Sequence, residues 1–168
     1  MAKIKTSLLI ATALIMLAGC APKVRDLPPQ PMGTGGSTGN NGVSQGPIPG
    51  SQEDFVASVA ADRVFFDTDR YDIDGEDQAT LASQAKWLAR YPQARVTIEG
   101  HCDERGTRDY NIALGERRSN SAKNALAGLG VAASRISTIS YGKERPDAAG
   151  SDEQSWARNR RAVTVTVR

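Results

Sequence analysis

The chain has 168 residues, a formal net charge of +2 and a hydrophobic content of 39%. This length has room for about one ordinary domain with appendages, which excludes a large enzyme with its own cofactor domain. Lys3 and Lys5 supply both units of net charge. Removing them from the 21 basic residues leaves 19, which balance the 19 acidic ones and argue against a nucleic-acid-binding protein. Two cysteines and one histidine are too few for a structural zinc site.

The first 20 residues have the pattern of a sorting signal. Behind the two lysines, an apolar run from Leu8 to Leu17 is as long as a signal-peptide core and shorter than the roughly 20 residues that span a bilayer. The run ends in Leu-Ala-Gly-Cys at positions 17–20, which resembles the bacterial lipobox. The alternative is an ordinary signal peptide with a cysteine near its cleavage site by chance. The lipobox predicts removal of residues 1–19.

The same resemblance implies that Cys20 carries an S-diacylglycerol and an N-palmitoyl group, and no other cofactor is expected. Each buried lipid CH₂ contributes about 0.8 kcal/mol, so several chains on one residue anchor durably. Ala21 stands where an aspartate commonly signals retention in the inner membrane, which by analogy favours the outer membrane.

Residues 20–52 are predicted to form a lipidated N-terminus followed by a tether. Six prolines and seven glycines fall between positions 21 and 52, with few apolar residues to bury. Such a composition cannot offset the entropy of ordering the chain, which predicts disorder. A flexible coil of this length would average about 30 Å from end to end.

Residues 53–168 are predicted to form one folded domain. Ser51 precedes a short helix over 54–59, and residues 63–67 (RVFFD) are predicted to be a strand. The remaining predictions, from apolar periodicity and from Gly and Pro breaks, are a helix from Gly75 to Tyr91, a strand over 95–101, a helix over 110–129, a strand over 136–141, a helical turn over 153–158 and a strand over 162–167.

This order, β-α-β-α-β-(α)-β, predicts an α/β domain in which right-handed crossovers join parallel strands. In the last strand, valines at 163, 165 and 167 alternate with threonines at 164 and 166, which indicates one polar sheet face. We therefore expect a two-layer α+β sandwich, a mixed sheet with helices on one face only, rather than a doubly wound fold.

Arg118 is out of place on the long helix. It falls at helical spacing within an apolar stripe that includes Leu114 and Ala122, and a buried, unpaired arginine is costly. Either its stem packs while its head reaches solvent, or it pairs with a carboxylate such as Asp103, just past the second strand. Arg105 and Arg117 are taken as plain surface charges.

A small zwitterion would suit this edge of the sheet. Ligands of open α/β sheets bind beyond the carboxyl ends of the strands, where Asp69, Asp103 and Arg118 can converge. Carboxylates hold an ammonium, and a guanidinium forks onto a carboxylate. The sequence thus predicts a site for a ligand that carries both charges.

Four segments closely resemble the OmpA-like peptidoglycan-binding family: 100–106 (GHCDERG), 110–118 (YNIALGERR), 140–142 (SYG) and 159–161 (NRR). They come in the family's order and at its spacing, and the match covers roughly residues 60–168. Cys102 departs from the family's usual Thr, Thr68 from a frequent Phe and Ser119 from the usual Ala. No departure removes a charged group.

The resemblance implies the OmpA-like fold and a non-enzymatic protein that binds the meso-diaminopimelate stem of peptidoglycan. Its ligand contacts would be Asp69, Asp103, Leu114 and Arg118, together with Asn159 and Arg160 of the Asn-Arg-Arg motif. It also implies a lipid-anchored outer-membrane protein of a Gram-negative envelope, facing the periplasm. As partners it implies TolB and other Tol components, in envelope integrity and cell division.

Two alternatives belong to other functional classes. His101, Cys102 and Asp103 supply the groups of a thiol hydrolase, but adjacent strand residues point to opposite faces of a sheet. With Cys20 lipidated, Cys102 has no disulfide partner, and we expect it to be a small side chain beside a hydrogen-bonded or solvated His101. Alternatively, the domain is a scaffold that binds only proteins, and Asp103 and Arg118 form an internal ion pair.

Overall fold

The computed structural model describes residues 46–167. The predicted signal and most of the predicted tether lie outside them, so the division of the chain at residues 19 and 52 stays a prediction. The elements are α1 (Gln52–Ser58), β1 (Arg63–Phe65), α2 (Gly75–Arg90), β2 (Arg95–His101), α3 (Arg108–Gly128), a 3₁₀ turn (Ala133–Arg135), β3 (Ile136–Gly142), α4 (Glu153–Asn159) and β4 (Arg161–Val167).

The helices begin where short polar side chains can cap them. The side chains of Asp74, Thr107 and Asp152 accept hydrogen bonds from the backbone N–H three residues on, which satisfies free donors at the starts of α2, α3 and α4. Ser51 does the same for α1 and is itself buried, so regular structure begins just before the predicted domain boundary. None of the helices within 46–167 is long and apolar enough to cross a membrane.

The four strands form one mixed sheet in the order β1-β4-β2-β3. β2 and β3 are parallel, and β4 is antiparallel to both of its neighbours. β1 and β2 therefore run in the same direction, as predicted, but they are not adjacent because the C-terminal strand lies between them. The carboxyl ends of β1 and β2 consequently meet at one edge of the sheet.

The hydrophobic core lies between one sheet face and the helices, which confirms the two-layer architecture. Strand residues such as Val64, Ile98 and Ala162 face Leu88 of α2 and Leu126 of α3. The buried stripe of α3 thus ends at Leu126, whereas Leu129, which the spacing had included, is 49% exposed.

In β4 the threonines face the core, whereas the alternating pattern predicted that they form the polar face of the sheet. Thr164 pairs across the ladder with the core residue Ile98, so it faces the helices, and Val167 is 49% exposed. The threonine tolerates burial because its hydroxyl donates to Gln84 Oε1 at 2.8 Å, while Gln84 Nε2 donates to the Ala61 carbonyl at 2.9 Å.

Glycines allow α3 to cross β2 with its backbone in contact with the strand. A Cβ atom at Gly100 would overlap the carbonyl oxygen of Gly115, and one at Gly115 would overlap the Ser140 hydroxyl. This close approach sets the depth of α3 on the sheet. Arg118, one turn further along the helix, is held beside the carboxyl end of β2 as a result.

Candidate ligand-binding cleft

A cavity of about 250 Å³ opens between the loop after β1, the loop after β2 and the first half of α3. Asp69, Asp103, Leu114 and Arg118 all line it, so the structure brings four predicted site residues together. The other lining residues are Thr68, Cys102, Arg105, Gly106, Tyr110 and Asn111.

Arg118 lies at the floor of the cleft with no exposed surface. Its guanidinium donates from Nε to the Arg70 carbonyl at 2.9 Å, from Nη1 to the His101 carbonyl at 2.9 Å and from Nη2 to the Asp67 carbonyl at 3.0 Å. Within 46–167 it forms no ion pair, so the suggested pairing with Asp103 is wrong. Burial lowers the pKa of Arg118, but a guanidinium stays charged in proteins. The cleft floor therefore holds a positive charge whose direct hydrogen bonds all go to backbone carbonyls, with the Phe66 ring centroid 5.2 Å from its Cζ and the charge of Asp103 nearby.

Asp103 pairs instead with two other arginines. Its Oδ2 lies 2.6 Å from Arg105 Nη2 and 3.5 Å from Arg160 Nη1. Its Oδ1 accepts from the Arg105 backbone N–H and from Arg105 Nε, both at 3.1 Å. Burial by itself raises the pKa of Asp103, but the hydrogen bonds and charge of Arg105, with Arg160, outweigh it and hold the pKa below its usual value.

Arg105 is a cleft residue rather than the plain surface charge predicted. Besides its fork onto Asp103, its guanidinium stacks at 4.3 Å from the ring centroid of Trp156 and donates to the Thr68 hydroxyl at 3.3 Å. The Trp156 indole N–H donates in turn to Glu104 at 3.1 Å. The sequence did carry a signal, because an arginine two residues after an aspartate in a tight loop can fold back onto it.

Asp69, in the loop after β1, lines the cleft in a constrained backbone conformation. It is the only non-glycine residue within 46–167 with a positive φ, at 57°. Aspartate tolerates this region better than most residues, and such outliers concentrate at functional sites. Tyr110 donates its hydroxyl to Asp69 Oδ1 at 3.1 Å, and this bond raises the pKa of the tyrosine. Tyr110 thereby orients the Asp69 carboxylate. No spacing rule predicts this hydrogen bond, which joins residues 41 positions apart.

Two predicted residues lie elsewhere. Asn159 does not line the cleft: its Oδ1 accepts from the N–H groups of Asp147 and Ala148 at 2.7 and 2.9 Å, and its Nδ2 donates to the Ala148 carbonyl. The amide therefore holds that loop through three hydrogen bonds. Arg160 lies behind Asp103, where Nε donates to the Phe66 carbonyl, so it positions the carboxylate from the buried side.

The geometry does not support a thiol nucleophile. Cys102 is buried, donates to the Asn111 carbonyl at 3.3 Å, and has its pKa raised to about 11 by burial, so it stays a thiol near neutral pH. Burial, together with the charge of Arg161, lowers the pKa of His101 to about 4. Both His101 ring nitrogens are buried without a hydrogen-bond partner, although Nε2 lies 3.5 Å from Glu99 Oε2, so the expected bonded or solvated ring is not observed. No cluster of metal-ligating residues occurs within 46–167.

Comparison with known proteins agrees with this architecture. The family model described as "OmpA family" matches residues 65–160. The peptidoglycan-associated lipoprotein of Agrobacterium fabrum is 51% identical over 154 residues, covering 92% of this chain and 83% of that protein. The protein of the same name from Rhizobium meliloti is 50% identical over 159 residues, covering 93% and 86%.

A solved structure is also similar. The crystal structure of the peptidoglycan-associated lipoprotein from Burkholderia pseudomallei aligns with a TM-score of 0.63 and 44% identity, over 64% of this chain and 92% of that one. The chain therefore belongs to the OmpA family and, within it, to the group of peptidoglycan-associated lipoproteins. This membership confirms the predicted fold and the prediction that the protein is not an enzyme.

Proposed function

We propose that the chain is an outer-membrane lipoprotein that binds the meso-diaminopimelate stem of peptidoglycan non-covalently and so ties the outer membrane to the cell wall. The observation that carries the binding site is Arg118, a fully buried guanidinium at the floor of a cleft with no carboxylate partner within 46–167. A buried charge is stabilised by a counterion, and the cleft leaves that position to a ligand.

The charges of the cleft suit an amino-acid end group. Asp69 and Asp103 face an ammonium, and Arg118 faces the carboxylate on the same ligand carbon. With Arg105 counted, the cleft residues sum to zero net charge, and a zwitterionic group leaves that sum unchanged. An anion alone or a cation alone would leave one of these charges unpaired. Leu114, also on the wall, contacts the aliphatic part of the stem in this arrangement.

The same arrangement favours diaminopimelate over lysine as the third residue of the stem. The two differ in a carboxylate on the terminal carbon, which lysine lacks. A lysine stem would satisfy the acidic wall and leave Arg118 without a counterion. Sites built around a buried polar partner reject analogues that lack the matching group.

The test compares muropeptides that carry diaminopimelate with otherwise identical ones that carry lysine. Full-length protein in mild detergent is titrated with each by calorimetry, for the wild type and for Asp103→Asn. Losing one member of a desolvated charge pair costs about 2–5 kcal/mol, so Asp103→Asn should weaken binding roughly thirtyfold or more. Asp109→Asn, an exposed acid in the first turn of α3, is the matched control. Equal binding of both muropeptides would contradict the assignment.

The anchor and the partners belong to the same proposal. Lipidation of Cys20 would fix the chain to the outer membrane, with the domain in the periplasm. The resemblance to the OmpA-like peptidoglycan-binding family implies the Tol system, with TolB as partner. Cys20→Ser should leave the signal uncut at the lipobox and remove the protein from outer-membrane fractions. Incorporation of labelled fatty acid by that variant would refute the lipobox. Co-purification of TolB with the wild-type protein tests the partner.

A further inference from the structure

The carboxylate of Asp103 has its acceptor positions filled by neighbouring arginines. It receives four hydrogen bonds, three from Arg105 and one from Arg160. Two oxygens offer about four lone-pair sites. An ammonium that arrives at Asp103 must therefore replace one of these donors.

Of these donors, the side chain of Arg105 is the one that can leave. Its side chain is 40% exposed, whereas that of Arg160 is 7% exposed and is also held by Glu153 at 2.7 Å. The backbone N–H of Arg105 belongs to the tight loop after β2. The remaining contacts of the Arg105 guanidinium, with Trp156 and the Thr68 hydroxyl, lie at the cleft rim.

We propose that Arg105 is an internal cation that occupies the ammonium position of the cleft and competes with the ligand for Asp103. The inference rests on the proposed function, because it concerns the same site. The Arg105 guanidinium donates to Oδ1 through Nε and to Oδ2 through Nη2. While it does so, a ligand ammonium cannot reach the carboxylate from the cleft. The displaced guanidinium remains near the negative charges of Glu153 and Asp69, so its departure leaves no isolated cation.

Competition of this kind reduces apparent affinity by the fraction of molecules in which the site is open. Ion pairs with a solvent-exposed partner are weak, so we expect the open fraction to be substantial, roughly one in two to one in five. Removing the competitor should tighten binding by about two- to fivefold. A residue that contacts the ligand directly would have the opposite effect when removed.

The experiment titrates full-length protein with the diaminopimelate muropeptide, for the wild type, Arg105→Gln and Arg108→Gln. Arg108 is the control because it changes the net charge equally, is exposed and pairs with Glu144 outside the cleft. Arg105→Gln should bind about two- to fivefold more tightly, and Arg108→Gln should match the wild type. Unchanged or weaker binding by a folded Arg105→Gln would overturn the inference. Failure of the wild type to bind at all would instead refute the proposed function.

The fluorescence of Trp156 gives a second readout, which reports the displacement of Arg105 directly. If the ligand displaces Arg105, the guanidinium leaves the indole and the tryptophan emission changes during the titration. The other tryptophan, Trp87, is buried in the core and supplies a constant background. Arg105→Gln should show no such change at saturation. The same change in both proteins would show that the emission change does not come from displacement of Arg105, and would also overturn the inference.

Discussion

Arg118→Lys should destabilise the domain even in the absence of ligand. The substitution keeps the positive charge but removes the planar fork that reaches three separate carbonyls, those of Asp67, Arg70 and His101. The first two belong to the loop after β1 and the third to the end of β2. Arg118 thus joins two chain segments that no backbone ladder joins at this edge of the sheet.

The magnitude follows from the number of carbonyls that lose a partner. A hydrogen bond from a charged donor contributes about 1.5–3 kcal/mol, and a buried acceptor left unsatisfied costs about 1–3 kcal/mol. Asp67 and Arg70 are exposed, so water replaces the donor there, whereas His101 is buried and its carbonyl is not rescued. We expect a net loss of about 2–4 kcal/mol in the free energy of unfolding, out of the roughly 5–15 kcal/mol typical of a domain.

The assay is thermal and urea unfolding of the full-length protein without ligand, followed by circular dichroism at neutral pH. At roughly 4 °C per kcal/mol for a domain of this size, the Tm should fall by about 8–16 °C. Arg117→Lys is the control, because Arg117 is its exposed neighbour on the same helix. A Tm within about 2 °C of wild type for Arg118→Lys would refute the assignment of the three carbonyl bonds as stabilising.

Three further predictions concern packing, pH and ligand binding. Gly100→Ala should lower the free energy of unfolding by about 3 kcal/mol or more in urea melts because of overlap with the backbone of α3, whereas Gly128→Ala, with open space around it, should be neutral or stabilising. Burial raises the pKa of Asp77 to about 6, above its unfolded value of 3.8. The native state then holds the proton more tightly, so stability should fall as pH rises from about 4 to 6, and Asp77→Asn should abolish that slope in melts across this range. Asp69→Asn keeps a residue that tolerates the positive φ, so calorimetry should show weaker muropeptide binding with an unchanged Tm.

Local patterns were enough to predict which segments are helices and strands. Apolar periodicity and capping residues act over a few positions, so the predicted bounds of α3 and β2 lie within two residues of those observed. The same periodicity singled out Arg118, since a charged residue within an apolar stripe needs a special environment. Its burial and the convergence of Asp69 and Asp103 beside it agree with that reasoning.

Contacts between distant segments could not be predicted in this way. The position of β4 between β1 and β2 depends on ladder pairing across more than 60 residues, and that pairing decides that Thr164 rather than Val163 faces the helices. The partners of Arg118 lie 17, 48 and 51 residues away along the chain, so no spacing rule indicates them.

Arg105 shows the same limit at the site itself. Its spacing from Asp103 allows a local ion pair, but its place at the cleft depends on Trp156, 51 residues on, which lies beside it. The sequence by itself determined the helices and strands, the charged residues at the edge of the sheet, and Arg118 as a charge within an apolar stripe. Only the tertiary structure decided which charges pair and which remain for a ligand, because ion pairing depends on distances between segments that the fold alone brings together.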